Sequence, residues 1–212
     1  MLTQVLPTLA WLLGGLGRNM AAQIVAALLF TVAAVAMCGL YLKLYLKQAD
    51  GYFHDWKSRF AGKKLLWAVG YIALMLAINP LYEMLMAALG VESSVDNLQN
   101  QRMVMEMLQR APLTMAAYIV LFAPVLEELL LRGIFFQSFG SIENRGKRWL
   151  LLVLSAFIFG SLHSLPVHYD FLLYFAMGLV LGAAYLHTKD LKYPILIHMV
   201  NNALGLAGML FE

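Results

Sequence analysis

The chain has 212 residues, of which 62% are hydrophobic and only 13% charged, with a mean hydropathy of +0.74; a soluble domain is about half apolar and about a quarter charged. An ordinary water-soluble enzyme is therefore excluded, and the net charge of +3 gives no ground for nucleic-acid binding, because basic residues in so apolar a chain mainly report membrane orientation. A single cysteine, Cys38, excludes an internal disulfide and any cysteine-clustered metal site.

The apolar excess is gathered into long runs. This points to an all-α, polytopic transmembrane bundle of about six spans, one integral-membrane domain over residues 1–212 with no appended soluble domain. Residues 2–17 are apolar but short, with Pro7 and the pair Gly14 and Gly15, and are expected to form a surface helix or a re-entrant piece. No basic segment precedes this stretch and no small-residue cleavage site follows it, so a cleavable signal peptide is not expected. Residues 20–42 are uncharged and rich in Ala, Val and Leu, long enough for a first span. A polar, basic segment over 43–64 leads to a second span over 65–89. Residues 90–110 are the longest polar stretch, and their Met and Leu spacing predicts a short amphipathic surface helix. A third span runs from Ala111 to about Phe139. A loop, "GSIENRGKR", precedes a fourth over 149–165; a fifth covers 169–187; Pro194 opens a sixth that runs to the C-terminus.

Eleven basic residues, among them Lys43, Lys47, Lys63, Lys64, Arg145 and Lys192, fall in loops on one side of this arrangement. Three, Arg18, Arg102 and Arg110, fall on the other. The rich side is the expected cytoplasmic one. Arg132 belongs to neither, because it lies inside the third span.

Ionisable residues within spans are rare and face the bundle interior, a water cavity or a partner. Here they are Glu83, Glu127, Glu128, Arg132, His163 and His198. Glu83 sits near the outer end of its span, within reach of the interface. Glu128 and Arg132 are four apart, so they share a helix face and can neutralise each other. Glu127 points about 100° away around the helix, where the same arginine serves it less well. A buried carboxylate without a full partner is a candidate general base. Pro124, three residues earlier, is expected to kink the helix. At ~1.5 Å per residue, Glu127 lies roughly 18 Å from Phe139, His163 roughly 21 Å from Trp149, and His198 and Asn202 roughly 6 and 12 Å from Pro194. All four can meet within the cytoplasmic half of the membrane, and His198 and Asn202, four apart, share a face. A single histidine in a span is commonly a packing residue; two, with a carboxylate and an amide at similar depth, are harder to explain that way. His54, His168 and His187 fall in or beside loops and read as solvated polar residues.

The motifs "EELLLR" (Glu127 to Arg132), "FGSLH" (Phe159 to His163) and "HMVNN" (His198 to Asn202) resemble, in order and on separate predicted spans, those of the CAAX prenyl protease and bacteriocin-processing (CPBP, or Abi) family of intramembrane proteases. The resemblance covers residues 111–212. It implies that Glu127 activates water, that His163 helps hold it, and that His198 and Asn202 polarise the scissile carbonyl. It also implies that Glu128, Arg132 and Phe159 support the site. Glu127, His163 and His198 can ligate Zn²⁺ with water as a fourth ligand; the H-E-x-x-H motif is absent, and a metal-free glutamate mechanism uses the same residues, so the cofactor is Zn²⁺ or none. The expected substrate is a membrane-associated peptide or protein in a bacterial plasma membrane, such as a leader peptide, a pheromone or, for members outside bacteria, a prenylated tail. Self-immunity to bacteriocins is a further family role. A non-catalytic membrane scaffold binding a protein partner, and a small proton-coupled transporter, are the readings from other classes. The transporter lacks the paired broken helices or inverted repeat it would need.

Overall fold

The computed structural model describes residues 20–48, 59–91, 99–139, 144–164 and 168–211. The apolar stretch over 2–17 and His54 lie outside them. The described residues are almost entirely helical. Helix α1 spans Met20–Gln48 and α2 spans Gly62–Ala88. Helix α3, Gln99–Arg110, is the amphipathic surface element expected from the 90–110 segment. Pro112 opens α4, Pro112–Ala117, where its missing N–H costs nothing. Helices α5 (Ala123–Glu128) and α6 (Phe135–Gln137) continue it. The later helices are α7 (Arg145–His163), α8 (Asp170–Thr188) and α9 (Lys192–Phe211).

The expected third span is not a kinked α-helix. Its turns widen twice into π-helix, at Tyr118–Phe122 before Pro124 and at Leu129–Ile134 after it. The Ala123 N–H reaches back five residues to the Tyr118 carbonyl, and the Phe135 N–H to that of Leu130. The six-residue α5 between them carries both glutamates.

Among the described residues, Ala27–Gln48, Gly62–Ala88 and Asp170–Thr188 are long and apolar enough to cross a membrane. Their outward faces are apolar: Leu28, Leu29 and Val32 on α1, and Leu66, Val69 and Leu81 on α2, are exposed. A patch of that extent is a liability in water and is the solvated face in lipid. Glu127, Glu128 and Arg132 sit on the α4–α6 rod, and His198, Asn201 and Asn202 on α9.

Two apolar clusters hold the bundle. One gathers Phe30, Tyr45, Met115, Tyr118, Leu129 and Phe136 where α1 meets the α4–α6 rod. The other gathers Met75, Ile78, Phe159, Tyr174, Leu181 and Ile197 among α2, α7, α8 and α9. Helices α7 and α8 approach to backbone contact. A Cβ on Gly178 would lie 2.8 Å from Ala156 Cα, and one on Gly182 would lie 2.5 Å from Leu152 Cδ1. These two glycines form G-x-x-x-G, a pattern visible in the sequence that lets membrane helices close on each other. At one end of the bundle the Ala61 N–H donates to the Tyr193 hydroxyl at 2.7 Å. There His187 stacks on Trp67 at 4.0 Å between ring centres. Lys63 and Lys64 at the start of α2, Lys189 just past α8 and Lys192 at the start of α9 gather at this end.

Candidate active site

Glu127, Glu128 and Arg132 are buried, at 6%, 0% and 0% exposure. The one-residue step between the glutamates turns them about 100° apart, and their surroundings differ accordingly. Glu128 Oε1 accepts from Arg132 Nη1 at 2.8 Å. Arg132 Nη2 donates to the Gly178 carbonyl at 3.0 Å. The expected i, i+4 pair is thus present, and α8 supplies it with an acceptor that sequence spacing did not reveal. His198 adds a second contact to the same oxygen, with Nδ1 2.9 Å from Glu128 Oε1.

Glu127 has no such company. Its Oε2 is buried without a hydrogen-bond partner. It faces His163 Nε2 at 3.7 Å and His198 Nε2 at 3.9 Å, both too long for direct hydrogen bonds.

The partners of the other ring nitrogens fix the tautomers. His163 Nδ1 lies 2.9 Å from the Phe159 carbonyl, which can only accept, so that nitrogen carries the proton. His198 Nδ1 faces a carboxylate already engaged by Arg132, so it too is the donor. In their neutral forms both imidazoles then turn an Nε2 lone pair toward one carboxylate oxygen. Three acceptors converge with no donor among them. A water molecule placed among polar atoms this far apart can bond to each of them, and it would supply the two hydrogens the cluster lacks.

Aromatic rings hold the imidazoles in place. His163 is stacked between Phe159 at 4.3 Å and Tyr174 at 4.9 Å. Phe159 also meets His198 edge-on at 5.8 Å and lies under the Arg132 guanidinium at 4.9 Å. Phe159 therefore touches three of the polar residues at once, a more central place than its motif position suggests. Tyr174, on α8, was not singled out in the sequence; no pattern distinguishes it from the other tyrosines of an apolar helix.

Glu127, His163, His198, Asn201 and Asn202 line a cavity of about 750 Å³. Its wall also includes Asn79 and Glu83 from α2 and Asn100, Gln101 and Met103 from α3. The surface helix α3 thus forms part of the chamber, and Glu83 borders it. The shallow depth of His198 counted from Pro194 does not keep it from Glu127. Asn202 shares the cavity, and its Nδ2 donates at 2.9 Å to the Ile119 carbonyl in the first π stretch. His168 and His187 lie elsewhere: His168 is exposed, 3.6 Å from Asp170, and His187 lies against Trp67 and Tyr71.

Glu127, His163 and His198 offer one oxygen and two nitrogens of the kind zinc favours. Among the described residues, however, no group of three or more His, Cys, Asp or Glu has the geometry to hold a metal ion. The cluster as it stands fits a water molecule better than a closed coordination shell.

Comparison with known proteins follows the same residues. The Bacillus subtilis (strain 168) protein named "Putative membrane peptidase YdiL" is 30% identical over 144 residues, covering 66% of this chain and 54% of that protein, so the chain spans about half the length of this relative. YbdI of Lactococcus lactis subsp. lactis (strain IL1403) is 25% identical over 163 residues, 75% of this chain and 84% of that protein. The "Membrane-embedded CAAX protease MroQ" of Staphylococcus aureus (strain USA300) is 33% identical over 89 residues, 40% of this chain and 35% of that protein. No solved structure matches the chain. Residues 109–204 match the family described as type II CAAX prenyl endopeptidase Rce1-like, and the matched stretch, which contains Glu127, Glu128, Arg132, Phe159, His163, His198 and Asn202, is similar to that family.

Proposed function

We propose that the chain is an intramembrane endopeptidase that hydrolyses a peptide bond of a membrane-associated peptide or protein with water activated by Glu127. The observation that carries this reading is the Glu127 Oε2 atom, buried without a partner and faced by His163 and His198 Nε2 at 3.7 and 3.9 Å, on the wall of the cavity. A water bound there is oriented by the two imidazoles and gives its proton to Glu127. The hydroxide adds to the scissile carbonyl carbon. Glu127 then returns the proton to the departing amine as the C–N bond breaks. Glu128 and Arg132 keep His198 in the tautomer this needs.

A six-span arrangement in the bacterial plasma membrane accompanies this reading. Helices α7 and α9, with 19 and 20 residues, extend about 30 Å, the thickness of a bilayer core. The lysine-rich end with the Ala61–Tyr193 contact is then cytoplasmic. The relatives' names, membrane peptidase and CAAX protease, agree with the reaction class. A bacterial peptide or membrane protein is the substrate this reading favours.

The test uses purified protein in liposomes with a pool of apolar peptides, cleavage being followed by mass spectrometry. Glu127→Gln and His163→Ala should each lose about a hundredfold or more in rate while remaining folded. Folded variants with full activity would refute the assignment. Activity abolished by a chelator and restored by Zn²⁺ would replace the metal-free mechanism with a metal-assisted one.

A further inference from the structure

The cavity that holds Glu127 has a direction. From α2 its wall takes residues between Met75 and Glu83, in the half of the helix remote from Lys63 and Lys64. From α7 it takes Phe159, Leu162 and His163, at the end remote from Arg145, Lys147 and Arg148. From α8 it takes Leu173, Tyr174 and Met177, in the turns remote from Lys189. From α9 it takes residues between His198 and Met209, beyond the turn that carries Lys192. Helix α3, which follows the far end of α2, completes the wall. Glu83 is 20 residues beyond Lys63, about 30 Å along the helix, which is the thickness of a bilayer core. None of the described lysines or arginines lines the cavity.

The opposite direction is closed. Further along the rod from Glu127, Leu131, Arg132 and Phe136 are buried, and Leu181 and Tyr185 on α8 and Tyr193 on α9 are buried with them. These side chains stand between the site and the lysine-rich end. Phe136 meets Tyr185 edge-on at 5.6 Å, and Arg132 fills the space between Glu128, Gly178 and Phe159. Wall residues with exposed surface include Glu83, Met103 and Gly208, all at the other end.

We propose that the cavity opens to the extracytoplasmic side and takes a peptide segment that has already crossed the membrane. The lysines mark the cytoplasmic face, so the mouth lies on the other one. A translocation or membrane-insertion step must then supply the substrate before Glu127 acts on it. Six methionines, Met75, Met103, Met107, Met115, Met177 and Met209, line the wall. Flexible thioethers fit apolar side chains of varied shape, so the segment is apolar and not one fixed sequence. Asn79 Oδ1, buried without a hydrogen-bond partner, offers an acceptor to a backbone N–H of that segment. The opening stands on packing and charge; cleavage of what enters rests on the protease reading.

The experiment uses the whole chain in bacterial spheroplasts. Cys38→Ala removes the one natural thiol, and single cysteines are then introduced. Gln101→Cys and Gly208→Cys mark the mouth, Asn79→Cys and Met107→Cys the cavity, and Lys63→Cys the opposite end. Each pair sits on two different helices, so one misfolded variant leaves the other to decide. A membrane-impermeant maleimide should label the mouth and cavity cysteines in intact spheroplasts, and Lys63→Cys only after lysis. The reverse pattern would overturn the proposal. So would cavity cysteines that react only after lysis while Gly208→Cys reacts in intact spheroplasts, or that react in neither. Cleavage is then followed with an apolar peptide bearing a sulfonated dye that cannot cross the membrane, with Glu127→Gln vesicles as the blank. Right-side-out vesicles should cleave it, and inside-out vesicles only after detergent is added. Cleavage by intact inside-out vesicles alone would overturn the proposal. If wild type in detergent cleaves no peptide, the protease reading falls, while the labelling still decides where the cavity opens.

Discussion

Arg132 offers the sharpest test of how the polar interior is held together. Its guanidinium is fully buried, bonds Glu128 at 2.8 Å and the Gly178 carbonyl at 3.0 Å, and lies over Phe159. Arg132→Met keeps much of the volume and removes the charge. Glu128, itself fully buried, is left as a carboxylate without its cation. Breaking one side of such a pair costs about 3–5 kcal/mol. At ~2–4 °C per kcal/mol for a chain of this size, the melting temperature should fall by about 6–20 °C. Glu128→Gln strands the arginine instead and should also destabilise. The double variant removes both charges, and the glutamine oxygen still accepts from His198 Nδ1. Its remaining penalty is chiefly the lost Arg132 bond to the Gly178 carbonyl, about 1–2 kcal/mol, so it should melt above either single variant. Differential scanning fluorimetry of the four detergent-purified proteins at one scan rate makes the comparison, because unfolding of such proteins is commonly irreversible. The reasoning fails if Arg132→Met melts within about 2 °C of wild type, or if the double variant is no more stable than the singles.

Two further changes follow from the backbone. Gly178→Ala puts a methyl 2.8 Å from Ala156 Cα, an atom that cannot swing aside. It should cost about 1–3 kcal/mol, whereas Gly70→Ala, with nothing within 4 Å of the new atom, should gain about 0.5–1 kcal/mol; equal melting temperatures for the two would contradict the close helix contact. Lys189 ends α8 at φ 54° and ψ 31°, the left-handed region. Lys189→Gly should therefore raise the melting temperature by about 2–4 °C, and a fall would show that the lysine side chain matters more there than its backbone strain.

What the sequence made legible followed from period and length. Runs of uninterrupted apolar residues located the helices, to within a few residues at most ends. The i, i+4 spacing located the Glu128–Arg132 pair, because one helix fixes that geometry by itself. The meeting of Glu127 with His163 and His198 was expected from depth alone. The contacts that distinguish one glutamate from the other were not legible. The bond from His198 Nδ1 to Glu128, the Tyr174 ring on His163 and the Gly178 carbonyl on Arg132 all depend on how far each helix is rotated against its neighbour. Pro124 signalled a disturbed helix, but not whether that helix would bend or widen. The Gly178 and Gly182 pair, by contrast, could have been read directly as a close helix contact.

The difference between two adjacent glutamates is the chemical centre of this site, and it comes from where protons are pinned. Arg132 keeps Glu128 a hydrogen-bond acceptor. That acceptor holds the His198 proton on Nδ1, which turns the Nε2 lone pair to Glu127. The Phe159 carbonyl does the same for His163. Glu127 therefore faces lone pairs and no donor, and this is what makes a water molecule its natural partner. Removing the Glu128 acceptor leaves the His198 proton free to sit on either nitrogen. With the proton on Nε2, His198 would donate to Glu127 and occupy the oxygen that water needs. In the proposed mechanism Glu128 thus acts on Glu127 through the imidazole that lies between them.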